Sequence, residues 1–171
     1  MTPTISTYRL SLRPLTKATP RQIGWLSDPE VVKYSEQRHE AHSLKAQLRY
    51  IDTFGGKSHL WGIHLVATGD HIGNLSALHD RNNDVSDIGI LIGETRCWGL
   101  GMGKEAWKAA CTWLLDPVCG NIRKLEAGCM RTNDAMLKIL RSTGFEEEGE
   151  RKSHFLVDGS SVGMMLFGRH R

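Results

Sequence analysis

The sequence predicts a single α+β domain, a mixed central sheet of about seven strands flanked by helices. Three observations lead there. Residues 59–66, 71–78 and 85–92 are β-rich runs separated only by short turn clusters, which is the pattern of an antiparallel series. The third run leads through a glycine-rich stretch, Glu94 to Gly103, into an apolar pattern of helical period ending at Leu115. The remainder reads strand, helix and two strands. At 171 residues the chain can bury one sizeable core and is too short for two comfortable domains, so one domain spanning 1–171 is expected.

In order, Tyr8 to Leu15 alternates in type, with Tyr8, Leu10 and Leu12 on one face, and reads as a first strand ended by Pro14. Thr19-Pro20 has the N-cap and first-turn proline of a helix running to Leu26, and Asp28-Pro29 restarts a helical turn in the same way. Residues 35–43 are polar and unpatterned, hence a loop. Ser43 caps a third helix over Leu44 to Phe54, with Leu44, Leu48, Ile51 and Phe54 as its inward face. Gly55-Gly56 closes it, and the three strands follow with turns at 68–70 and 80–84. After the helix over 102–115 come a strand at 123–129 and a helix at 133–142 with Met136, Leu137 and Leu140 inward. Two last strands surround the Asp158-Gly159 turn.

Composition narrows the function. A net charge of +3 without charge blocks leaves no nucleic-acid footprint and still favours small anions as ligands. No apolar run reaches the ~18 residues of a membrane span, and the first residues lack a secretory layout, so a cytoplasmic protein is expected. Cys97, Cys111, Cys119 and Cys129 lack metal or redox spacing and read as reduced packing residues. His39 and His42 have no third ligand nearby, and no metal is expected.

The glycine stretch carries the chemistry. Gly99, Gly101 and Gly103 alternate with Leu100 and Met102 at a helix start, where amides have no partner in the preceding turn and bare backbone admits an anion. A P-loop is excluded because Glu105, not a hydroxyl residue, follows Gly103-Lys104. The dinucleotide fingerprint fails on glycine spacing.

What does fit is Arg96, two residues, Gly99, one residue, Gly101, followed by Glu105-Ala106, with Asn133 and Gly144-Phe145 further on. On these motifs the chain resembles the GNAT superfamily of acyl-CoA-dependent N-acetyltransferases, in its ribosomal-protein and amino-sugar branch, from Tyr8 to the C-terminus. The resemblance implies acetyl-CoA as co-substrate. Its pyrophosphate would lie on the amides of Gly99, Leu100, Gly101, Met102, Gly103 and Lys104, with Arg96 in the motif. Ile90 and Leu91 would meet the pantetheine arm where the strand splays from its neighbour, and Asn133 would contact that arm or simply cap its helix.

For the proton acceptor the resemblance points to Asp87, with Glu94 second; Asp87 equally suits a solvated strand start after the Asp84 turn. The family's tyrosine acid falls on Leu140 here, leaving direct thiolate departure or Ser142. Arg38 and His39 lie where the family builds its acceptor pocket. The acceptor implied is a primary amine, foremost that of a nucleotide-linked amino sugar, by similarity of segments such as LWGI (60–63) and DIGILIG (87–93) to surface-polysaccharide acetyltransferases. A peptide N-terminus is the rival, a non-catalytic CoA-binding module the reading from a different class, and a homodimer stays open.

Overall fold

The computed structural model describes residues 1–171 and contains one eight-stranded sheet, in the order β1-β2-β3-β4-β5-β6-β8-β7. The strands are β1 (Ile5–Ser6), β2 (Leu10–Pro14), β3 (His59–Leu65), β4 (His71–Asp80), β5 (Val85–Ile92), β6 (Lys124–Met130), β7 (Glu146–Val157) and β8 (Ser160–His170). The helices are α1 (Pro20–Leu26), α2 (Pro29–Val32), α3 (Leu44–Ile51), α4 (Met102–Leu115) and α5 (Asp134–Ser142). No helix is long and apolar enough to cross a membrane.

The caps form as their residue types dictate. Thr19 makes a capping box with Gln22, Asp28 accepts from the Glu30 amide, Ser43 from Ala46 and Asn133 from Met136. The apolar face of α4, with Trp107, Ala110, Cys111 and Leu114 fully buried, packs on one side of the sheet against Leu12, Ile63, Leu75 and Ile88. The opposite sheet face carries Asn74 and Ser76 of β4 beside Leu91 and Gly89 of β5, and this face is left for α3 and the segment before it.

One irregularity positions everything that follows. All pairs in the sheet are antiparallel except β5 with β6, which are parallel and stay paired only from Val85↔Lys124 to Asp87↔Glu126. Beyond that point the two strands part, although β5 remains paired with β4 as far as Gly73↔Ile92. A wedge therefore opens in the middle of the sheet at Ile88.

Four details differ from expectation. Tyr8 is not in a strand: Thr7 bonds Leu10 through both backbone and hydroxyl, turning the chain between β1 and β2 and leaving Tyr8 95% exposed. The eighth strand is β1, at residues 5–6, ahead of the strand expected from Tyr8. Residues 36–39 form a 3-10 turn capped by Ser35. The helix α3 ends at Ile51, and its inward residues are Gln47 and Ile51, while Leu44 and Leu48 are both 44% exposed. Cys119, unlike the other three free cysteines, is exposed and packs nothing.

Candidate active site

The loop between β5 and α4 is held open by its surroundings. Gly99 and Gly101 have φ of 74° and 77°, a left-handed conformation that costs glycine nothing, and Gly101 is the N-cap of α4. The amides of Gly99, Leu100, Gly101, Met102, Gly103 and Lys104 donate to no backbone or side-chain acceptor; the first internal bond of the helix runs from Glu105 N to the Gly101 carbonyl. Six consecutive donors at the positive end of a 14-residue helix make an anion site.

Three contacts brace that loop from outside. The Glu105 carboxylate accepts from the Thr7 hydroxyl (2.6 Å), the Arg9 amide (3.0 Å) and Arg9 Nε (2.7 Å), and Arg9 Nη1 also donates to the Leu100 carbonyl (2.9 Å). Trp98 Nε1 donates to the Ile92 carbonyl at 2.8 Å. On the other flank Trp25 of α1 lies so close over Gly93 that a Cβ there would enter its ring. Trp25 Nε1 donates to Glu94 Oε1 at 3.2 Å.

A cleft of about 630 Å³ opens where β5 and β6 part. Its donor side is lined by Ile90, Leu91, Cys129, Met130, Asn133 and Met136. Its other side is closed by the 3-10 turn, α3 and the β7 hairpin, with Glu36, Gln37, His42, Gln47, Tyr50 and Phe155 among the lining. Asn74 and Ser76 form the floor, and no lysine or arginine lines the cleft. A separate shallow pocket beside the start of α4 is basic, lined by Lys104, Lys138 and Arg141 with Ile139 and Ser142.

Several groups titrate away from their ordinary values. Burial pushes the Tyr50 phenol up, the Ser76 hydroxyl works against it, and the Asp87 charge adds to the rise. Burial and then the Glu126 carboxylate raise the Asp87 carboxyl. Asp87 keeps part of its surface in solvent and pairs with Glu126 across the parallel β5–β6 register. Burial drives the Cys129 thiol up to about 11, which keeps it protonated and unreactive beside the cleft.

The structure brings some predicted residues together and separates others. Ile90, Leu91 and Asn133 line the cleft, whereas Gly99 to Lys104 are not on its lining and form the loop that carries the chain from β5 into α4. Asp87 sits one step before the parting, as the last β5 residue paired with β6, and is not on the cleft lining. Glu94 is turned the other way, 3.6 Å from Arg21 and 3.4 Å from Arg96, outside the cleft. Arg96 also pairs with Asp70 at 2.9 Å, which ties the loop to the β3–β4 turn. Arg38 is pinned to Glu36 (2.8 Å) and the Ser35 carbonyl, and neither it nor exposed His39 lines the cleft.

Residues 35–43 do wall the cleft, through Glu36, Gln37, Glu40 and His42. Gln47, Tyr50, Asn74 and Ser76 escaped sequence reasoning too. The one available signal was a polar and aromatic stripe on α3, Gln47 and Tyr50 three apart, which competes with the more obvious leucines.

An antiparallel sheet whose single parallel pair parts beside an amide-lined helix start is the architecture of an acetyltransferase. The acetyltransferase (GNAT) domain family matches residues 9–146, and the chain belongs to that family. Among curated relatives, an uncharacterized N-acetyltransferase, p20, of Bacillus licheniformis is 24% identical, covering 96% of this chain and 94% of its own. Among solved structures, the ribosomal L7/L12 alpha-N-protein acetyltransferase RimL in complex with coenzyme A is 18% identical with a TM-score of 0.81, covering 98% of both chains. The microcin C7 self-immunity acetyltransferase MccE, in complex with acetyl-CoA and AMP, is 16% identical with a TM-score of 0.78, covering 96% of this chain and 94% of its own. These two likenesses are of fold.

Proposed function

We propose that the chain transfers an acetyl group from acetyl-CoA directly to a primary amine on a small polyhydroxylated acceptor, foremost an amino sugar carried on a nucleotide. The observation that carries the donor half is the run of six unpartnered amides from Gly99 to Lys104 at the start of α4, on the chain that leaves the parted strand β5. A diphosphate matches those donors, and Lys104, Lys138 and Arg141 offer a further phosphate its countercharge. Backbone groups of Ile90 and Leu91, freed from β6, are open to pair with a pantetheine arm in the wedge, and Asn133 lines the same cleft from its cap position.

The acceptor half rests on the cleft's chemistry. Gln37, Gln47, Asn74 and Ser76 are neutral hydrogen-bonding groups suited to hydroxyls, with Tyr34, Tyr50 and Phe155 as apolar faces for a sugar ring. Because no lysine or arginine lines the cleft, the phosphates of a nucleotide carrier stay outside it and the sugar alone enters.

The test is thiol release from acetyl-CoA against UDP-linked amino sugars, free glucosamine and N-terminal peptides. Turnover of the sugars supports the proposal. Selective turnover of peptides would move the acceptor to the class named for RimL, and acetyl-CoA binding without any turnover would leave a binding module.

A further inference from the structure

The geometry points to His42 as the general base that takes the proton from the acceptor's ammonium group. This rests on the transferase reading above and adds to it the group that makes the nucleophile. His42 lines the cleft on the acceptor side, half-buried, one residue before the Ser43 cap of α3. Its Nε2 lies 2.8 Å from the Gln37 carbonyl oxygen. A carbonyl can only accept, so Nε2 carries the hydrogen, and in the neutral ring the lone pair is on Nδ1. Nδ1 has no partner in the protein.

The residues around the ring hold this arrangement. The Gln37 carbonyl accepts also from the Glu40 amide (3.1 Å), and the Ser35 hydroxyl accepts from the Gln37 amide (3.2 Å), so the 3-10 turn fixes the oxygen that orients the imidazole. On the other side the Ser43 hydroxyl accepts from Ala46 N at 3.1 Å. An imidazole with one nitrogen tied to a carbonyl and the other bare is the form a base takes in catalysis. The carboxylates considered from sequence are less well placed, Glu94 facing its arginines and Asp87 lying below the lining. The ionisable groups sharing the cleft with His42 are Glu36, Glu40, Tyr34, Tyr50, Cys129 and His154.

The step balances as follows. Nδ1 of His42 removes one proton from the acceptor's ammonium, giving a neutral amine and an imidazolium. The amine nitrogen attacks the thioester carbonyl; the C–N bond forms, the C–S bond breaks, and the departing thiolate takes the second nitrogen proton. His42 returns its proton to solvent, so each turnover yields amide, thiol and one proton.

Two measurements test this. In long-range ¹H–¹⁵N spectra of the intact protein the His42 ring should show the Nε2–H tautomer; an Nδ1–H tautomer would overturn the assignment. With acetyl-CoA and glucosamine in excess as the probe acceptor, His42→Gln should lower kcat by about 10²-fold and flatten the acid limb of the pH profile. Acetyl-CoA affinity should stay within about twofold, and imidazole should restore part of the activity of His42→Ala. An unchanged acid limb in His42→Gln, or its loss in His154→Gln instead, would reject His42. Failure of the unaltered protein to bind acetyl-CoA would strike at the donor site, a result separable from all of these; should glucosamine prove not to be turned over, the tautomer decides.

Discussion

Arg9 and Glu105, 96 residues apart in sequence, are joined twice: backbone N to Oε1 at 3.0 Å and guanidinium Nε to Oε2 at 2.7 Å. Through this pair the β1–β2 turn grips the first turn of α4, and through Arg9 Nη1 it grips the Leu100 carbonyl as well. The glutamate of the glycine motif is thus a brace for the loop, not a group of the reaction.

Glu105→Gln should therefore weaken acetyl-CoA binding by loosening the loop. The loss of charge-assisted bonds at a partly exposed site is expected to cost about 1–2 kcal/mol, seen as a Tm lower by about 3–6 °C. Calorimetry and a binding isotherm on the same variant check both effects, and an unchanged affinity would show that the loop needs no brace.

Acid should act on the same brace. Burial works to raise the Glu105 carboxyl, but the Thr7 hydroxyl, the Arg9 amide and the Arg9 guanidinium together hold it below its ordinary 4.5. A depressed carboxylate contributes stability that is complete above 4.5 and is lost as pH falls through the lower folded value. The wild-type protein should lose stability over that acid window more steeply than Glu105→Gln, as followed by thermal melts.

Asp87 has the opposite sign. Its raised carboxyl means that the folded state prefers the protonated form, so ionisation costs stability as pH rises from the unfolded value through the folded one. Asp87→Asn is expected to raise Tm at neutral pH and to lower the Tyr50 titration, since Asp87 contributes to its rise. A drop in Tm, or a Tyr50 titration that does not move, would contradict this placement.

Gly101→Val addresses the loop conformation itself. At φ 77° a side chain is strained by about 1–2 kcal/mol, and a β-branched one by more, although nothing but Arg9 Nη2 at 3.6 Å crowds the site. Relief would require swinging the amides away, so acetyl-CoA affinity should fall by tenfold or more while the fold, read by circular dichroism, persists.

The basic pocket makes a separable prediction. Lys138→Ala with Arg141→Ala should weaken acetyl-CoA by about tenfold at low salt, and less at high salt, because the countercharge is exposed and screened. Acetyl-dephospho-CoA should be weakened little by the same pair; equal losses for both ligands would place that phosphate elsewhere.

What was legible in the sequence was what is decided locally. Thr19-Pro20, Asp28-Pro29 and Ser43 start helices because their side chains satisfy the first amides, and Gly99 and Gly101 mark left-handed backbone that other residues avoid. The glycine loop and the start of α4 follow from such positions. The far wall of the cleft does not, because it depends on which face of α3 meets the sheet and on how a nine-residue polar segment folds over it. The leucines of α3 suggested one face, yet Gln47 and Tyr50 turn toward the cleft, and the pocket spares Arg38 and His39 while using Glu36, Gln37 and His42. Only tertiary packing separates His39 from His42.

The account depends above all on the amides between Gly99 and Lys104, and ¹H–¹⁵N spectra recorded while acetyl-CoA is added to the labelled protein observe those amides directly. Their resonances should move together, downfield and saturably, with Ile90, Leu91 and Asn133 following at the same midpoint. Binding that leaves the six amides in place while resonances elsewhere shift would contradict it.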